Sequence, residues 1–187
     1  MPIRPLCAAE LAEVEKVFST GLDVTRARVN EGSSIPDWIG WIGAKLRHTP
    51  PPEHNAITLG NTSYFPVALT TNDPANSLWL RDMCWLMHEL THQWQFQHDG
   101  IIYLYQAIFK SPTYQYWPDG ETRADALKGF SKAGKVFRDF NREQQGDIVR
   151  DYYSFLIQKS DVSAWDTYLR ELRELPAHRE RQRETSR

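Results

Sequence analysis

His88-Glu89-Leu90-Thr91-His92 is where the residue types and spacing of this chain can do chemistry. Two histidines four apart share one face of a helix, a turn from each other, so both imidazoles can reach a single zinc ion. Glu89 follows His88 by one residue. It therefore projects about 100° around the helix, beside such an ion rather than onto it. A carboxylate there can take a proton from zinc-bound water, which makes H-E-x-x-H a device for metal-assisted hydrolysis. A zinc that acts on a substrate needs a third protein ligand and an open fourth position. Two stretches downstream offer a Glu with an Asp four residues later: Glu121 with Asp125, and Glu143 with Asp147. In either, the Glu can coordinate while the Asp hydrogen-bonds the outer nitrogen of a ligating histidine and fixes its tautomer. Spacing alone does not choose between them. Glu121 follows Pro118-Asp119-Gly120, near a helix start, where the dipole favours an exposed acid in any case. Glu143 adjoins Gln144 and Gln145 among Ile148, Tyr152 and Tyr153. Polar groups at such semi-buried places belong to hydrogen-bond networks, so Glu143 is preferred.

These residues need elements to hold them. Trp79, Met83, Leu86, Leu90 and Trp94 recur at spacings of three and four, which predicts a helix from Leu78 to Phe96. Asn76 or Ser77 can cap it behind Pro74, and Gly100 can close it. Ala56–Leu59 and Thr62–Phe65 flank Gly60-Asn61, a two-residue hairpin signal, so a small sheet precedes the zinc-pattern helix. Tyr64-Phe65 lies nearest an edge able to hold an extended peptide, although two aromatics in a strand more often pack in a core. Further helices are expected over Ala8–Phe18, Pro36–Leu46, Ile101–Phe109, Glu121–Phe130, Glu143–Lys159 and Ser163–Leu175, with strands at Leu22–Val24 and Ala27–Val29. Residues 1–176 read as one α+β, mostly helical domain with no internal repeat. The tail Ala177–Arg187 alternates Arg and Glu without apolar side chains, and disorder is its expectation.

Composition bounds the class. The chain has 187 residues, enough for one sizeable core, with 41% hydrophobic and 25% charged residues as in ordinary globular proteins. A net charge of −2 argues against nucleic acid as a main partner. Cys7 and Cys84 are too few for a disulfide scaffold and read as free thiols. No segment approaches 18 uninterrupted apolar residues, so no transmembrane segment is expected. The start, Met1 to Glu10, has no apolar core for a signal peptide, so the expectation is synthesis in the cytoplasm and export, if any, by another route.

Leu86-Met87-His88-Glu89-Leu90-Thr91-His92-Gln93-Trp94-Gln95, then Gly100, then Phe140-Asn141-Arg142-Glu143-Gln144-Gln145 with Ile148 and Asp151-Tyr152-Tyr153, resemble a group of bacterial zinc metallopeptidase domains. These are attached to, or encoded beside, the VgrG spike and Rhs proteins of type VI secretion systems. They are also similar to the metallopeptidase-like domain of contractile injection systems. Val17–Asp23 and Ala56–Gly60 echo the same group, and the resemblance runs from about residue 6 to about residue 157. It implies a zincin-like fold and a gluzincin-like Zn2+ site. His88, His92 and Glu143 would be the ligands, Glu89 the general base, and Asp147 the acid that hydrogen-bonds the outer nitrogen of a ligating histidine. It implies an antibacterial effector toxin, secreted into the periplasm of a target cell, with a peptide or protein substrate. A VgrG-type spike carrier and an immunity protein are the partners it suggests. Gly146 departs from what a helix prefers, at about 1 kcal/mol against Ala, unless the first helix approaches it closely.

For the oxyanion of such a reaction, His98, Tyr114, Tyr116 and Arg150 are candidates, although Arg150 can equally pair with Asp147 on its own helix. Two other functions remain open. One is a cell-wall peptide amidase using the same zinc site. The other is a non-catalytic, metal-bearing docking module of a secretion particle. The retention of Glu89 weighs against the last, since a structural zinc is closed by four ligands and has no use for a base.

Overall fold

The apolar stripe Trp79, Met83, Leu86, Leu90 and Trp94 winds into the longest helix, and all five side chains are buried. The computed structural model describes residues 2–35, 56–100 and 115–174. Across them run α1 (Ala8–Phe18), β1 (Arg28–Asn30), β2 (Ile57–Leu59), β3 (Thr62–Tyr64), α2 (Trp79–Asp99), α3 (Arg123–Lys132), a 3-10 turn (Phe137–Asp139), α4 (Arg142–Ile157) and α5 (Ser163–Glu174). This is a mixed α and β, mostly helical fold. The expected helices at Pro36–Leu46 and Ile101–Phe109, Tyr114 and the tail at 177–187 lie outside the described residues.

Helix α2 is the centre. It packs most extensively against α4 and also lies on β2 and β3, while α5 packs on α1, α3, α4 and the 3-10 turn. Trp165, Tyr168, Leu169 and Leu172 carry α5 into the core at helical spacing. The indole of Trp94 donates to the Leu172 carbonyl at 3.1 Å, joining α2 to α5. Gly100, at φ 65°, ends α2 as expected. Its start differs: Leu78 is the N-cap and contributes no side-chain bond, while the Asn76 side chain accepts from the Leu78 amide at 2.9 Å. An Asx turn thus leads the chain into the helix one or two residues later than the capping signal suggested.

The hairpin forms where Gly60-Asn61 places it, with Gly60 at φ 64°. Strand order is β1-β3-β2, with β1 parallel and β2 antiparallel to β3. β3 is therefore the central strand. Tyr64-Phe65 has no edge to offer a peptide, and Phe65 is fully buried, so the core alternative holds for that pair. The strand expected over Leu22–Val24 is absent; a turn spans it, and only Arg28–Asn30 pairs. Here the Gln97 side chain of α2 takes over the backbone, accepting from the Asp23 amide at 2.8 Å and donating to the Asp23 carbonyl at 3.2 Å. A side chain thus satisfies the groups that a strand ladder would have used.

The N-terminal segment is tied down by a buried charge. Glu10 of α1 takes two hydrogen bonds from Arg4, at 2.7 and 2.8 Å, one from the Thr71 hydroxyl at 2.7 Å and one from the Cys7 amide at 2.8 Å. Burial alone would push this carboxyl up in pKa; those four donors outweigh it and hold the group below the ordinary carboxylate value. Cys7 and Cys84 are free thiols. No helix of the described residues is long and apolar enough to cross a membrane.

Candidate metal centre

Helices α2 and α4 face each other across the pattern His88-Glu89-x-x-His92. One turn separates the two histidines on α2, and their Nε2 atoms converge to 3.1 Å. From α4, Glu143 Oε2 comes within 3.3 Å of His88 Nε2 and 3.6 Å of His92 Nε2. Three donors at about 2.0–2.1 Å from a tetrahedral zinc lie about 3.3–3.4 Å from one another, so this triangle has the dimensions of a zinc face. Both histidines are buried, at 8% and 7% exposure. The donor set, two imidazoles and a carboxylate, is one that zinc takes.

The outer nitrogens are held as well. His88 Nδ1 lies 3.0 Å from Asp147 Oδ1, which also receives Arg150 Nη1 at 2.7 Å. Both approaches are at ion-pair distance but off the directions of a good hydrogen bond. His92 Nδ1 meets Gln95 Oε1 at 2.9 Å. Gln95 in turn gives its two amide hydrogens to the Arg142 carbonyl and to Gln145 Oε1, both at 3.0 Å. With Nδ1–H turned outward to Gln95, the His92 Nε2 lone pair faces the triangle, while Asp147 stands at ion-pair distance from the outer nitrogen of His88. Burial works against protonating these rings, yet Asp147 and Glu143 raise His88 to about 10, and Glu143 raises His92. Burial would likewise raise Glu143, but the two histidines hold it well below the usual carboxylate range. The carboxylates thus favour positive charge on the two rings.

Gly146 has the close approach that its helix position left open. A Cβ built there would stand 2.7 Å from His88 Cε1, 2.8 Å from Nδ1 and 2.9 Å from Nε2. The missing side chain is the space that the His88 ring occupies. The run Asn141-Arg142-Glu143-Gln144-Gln145 also divides its labour: Asn141 caps α4 by accepting from the Gln144 amide at 2.9 Å, and Gln144 returns a bond to the Asn141 amide at 3.2 Å. Glu143 is left to face the histidines and Gln145 to brace Gln95.

Glu89 comes to the two histidines from the side, one residue of helix rotation away. Its carboxylate lies with the two histidines in a group whose candidate ligand atoms fall within 4.8 Å of one another. Two acids therefore compete for the third ligand position. Glu143 reaches both histidine nitrogens more closely, while Glu89 Oε2 is already engaged by the Thr58 hydroxyl at 2.8 Å. Geometry favours Glu143 on the metal and Glu89 beside it.

No protein-family model matches the chain, and no solved structure does. The chain is similar to the type VI secretion system spike protein VgrG2b of Pseudomonas aeruginosa, with 27% identity over 173 residues. The match covers 92% of this chain but only 15% of that protein.

The other candidates among the described residues are not brought to the triangle. Glu121 is exposed ahead of α3, where Asp125 hydrogen-bonds the capping Thr122. Tyr116 donates to Asp151 at 2.9 Å, Arg150 pairs with Asp147 along its own helix, and the His98 ring stacks on Trp94 with centroids 4.5 Å apart. Three polar residues that bear on the site escaped sequence reasoning: Gln95, Thr58 and Ser63. The i+3 spacing from His92 was a usable signal for Gln95. For the hairpin pair there was none, because their contact with α2 is made across the fold.

Proposed function

We propose that this chain is a zinc-dependent metallopeptidase domain of zincin-like plan, its zinc held by His88, His92 and Glu143. The observation that supports the reading is the triangle of 3.1, 3.3 and 3.6 Å with the Glu89 carboxylate beside it. When bound, zinc would lower the pKa of a water toward about 7 and polarise a substrate carbonyl. Glu89 then accepts the proton of the attacking water and hands it to the leaving nitrogen, so the peptide bond breaks with no net change at the carboxylate. Gln95 keeps the His92 tautomer that presents Nε2 inward, and the Asp147 carboxylate braces the outer side of the His88 ring.

Similarity to a type VI spike protein supports a setting in that secretion system. The reading is therefore an antibacterial effector carried on a VgrG-type spike, acting on peptide bonds in the periplasm of a target cell and matched by an immunity protein. Its test is turnover of fluorescein-labelled casein and of purified peptidoglycan by the zinc-loaded chain and by Glu89→Ala. Casein cleavage by wild type, lowered about 10²–10⁴-fold in Glu89→Ala with zinc retained, is expected. Cleavage of peptidoglycan alone would move the reading to an amidase; turnover unaffected by Glu89→Ala would sink both.

A further inference from the structure

The sheet turns its polar side inward at the one place where it meets the base. In β2, Thr58 is buried at 4% exposure between half-buried Ile57 and Leu59; in β3, Ser63 is fully buried beside half-buried Tyr64. Packing alone would put the apolar residues of such strands against the helix, since one register step exchanges the faces. Instead, Thr58 and Ser63 stand opposite each other across the hairpin, with their hydroxyls 2.8 Å apart.

The hydrogen count gives this pair a direction. Gln93 of α2 is fully buried, and its amide nitrogen donates to the Arg28 carbonyl at 2.9 Å and to Ser63 Oγ at 2.7 Å. A carbonyl accepts only, so the Gln93 nitrogen is fixed as the donor end. Ser63 Oγ, accepting from Gln93, gives its own hydrogen to Thr58 Oγ1. Thr58 Oγ1 then donates to Glu89 Oε2 at 2.8 Å, in preference to the Glu89 carbonyl at 3.2 Å. The shorter, charge-assisted bond takes the single hydrogen. A backbone carbonyl of β1 thereby anchors a one-way relay ending on the base.

We infer that Thr58 is a positioning residue for Glu89: through the relay Gln93–Ser63–Thr58 it holds Oε2 and leaves Oε1 as the oxygen that takes the proton of the attacking water. The inference rests on the metallopeptidase reading. Its physical content is orientation. A glutamate on a helix has several rotamers, and a base working by proton transfer must keep one of them within hydrogen-bond reach of its water. Three buried polar groups at a helix–sheet seam are a poor way to gain stability, since apolar groups of like shape serve as well or better.

Thr58→Val removes the hydroxyl and keeps the shape and strand propensity; Thr58→Ser keeps the hydroxyl; Ser63→Ala cuts the relay one bond back. Each is measured for zinc content, for kcat and KM on fluorescein-casein, and, as the cobalt(II) form, for acetohydroxamate binding by visible absorption. The hydroxamate hydroxyl proton needs an acceptor at the metal, so its affinity reports the base without turnover. Expected for Thr58→Val are one zinc per chain, unchanged KM, and kcat and hydroxamate affinity each lower by about 10–100-fold. Ser63→Ala gives a smaller loss in the same sense, and Thr58→Ser stays within about threefold of wild type on the same scale. Thr58→Val and Ser63→Ala with wild-type kcat and hydroxamate affinity would overturn the inference and leave the metallopeptidase reading standing. So would Thr58→Ser as impaired as Thr58→Val, since that is a packing effect. A wild-type chain that takes no metal overturns both.

Discussion

Gly146→Ala tests how closely the two central helices are fitted to a metal. In an open helix, replacing Gly by Ala stabilises by about 0.4–1 kcal/mol. At Gly146 the new methyl would meet the His88 ring at 2.7–2.9 Å. Carbon contacts are comfortable at about 3.5–4.0 Å, so the ring or the helix must retreat by about 0.7 Å. Overpacking of that kind costs about 1–3 kcal/mol, which cancels the gain and leaves a net loss of up to about 2.6 kcal/mol. Zinc sites tolerate about 0.2 Å in ligand distance, so His88 leaves its place and zinc affinity falls at least about tenfold. That removes a further ~1.4 kcal/mol of zinc-linked stability. Gly129 of α3 is the internal control: it is exposed, and a Cβ there meets nothing within 4 Å. Melting temperatures with zinc and with chelator, together with chelator competition, measure both terms. Gly129→Ala should gain about 2–4 °C per kcal/mol in both conditions, whereas Gly146→Ala loses more with zinc than without. If Gly146→Ala matched Gly129→Ala and kept its zinc, the close fit of α4 to His88 would be refuted.

Two further outcomes follow from the same geometry. Gln95→Leu removes the acceptor of the His92 Nδ1–H while leaving all three ligands, and should weaken zinc by about 10–100-fold in chelator competition; unchanged affinity would show that His92 needs no such brace. Glu10, held below the ordinary carboxylate value of 4.5, contributes stability that is fully present above that value and lost as pH falls below it. Urea midpoints of wild type should therefore fall more steeply between about pH 5 and 3 than those of Glu10→Gln, which starts lower by about 1–3 kcal/mol at neutral pH. Parallel slopes would mean that the Arg4–Glu10 cluster carries no linked stability.

What was legible in the sequence is what local spacing decides. Apolar periodicity located α2, Gly60-Asn61 located the hairpin, and the Glu-x-x-x-Asp pairs narrowed the candidate third ligand to Glu143 or Glu121, of which only Glu143 faces the histidines. Gly146 looked out of place on α4 because its reason lies on α2, in the His88 ring. For Tyr64-Phe65 both an edge and a core place were open, because sequence order does not reveal that β1 pairs with β3 and makes it central. Thr58 and Ser63 alternate with apolar neighbours as any strand residue does; only the inverted register shows that the polar face is the inner one. Non-local pairing therefore carried what periodicity could not.

The most direct measurement is zinc content by mass spectrometry on purified wild type, Glu143→Ala and Glu121→Ala. The triangle of His88, His92 and Glu143 predicts one zinc per chain in wild type and in Glu121→Ala, with zinc lost or strongly weakened in Glu143→Ala. A wild-type chain without zinc, or loss in Glu121→Ala with retention in Glu143→Ala, would contradict it.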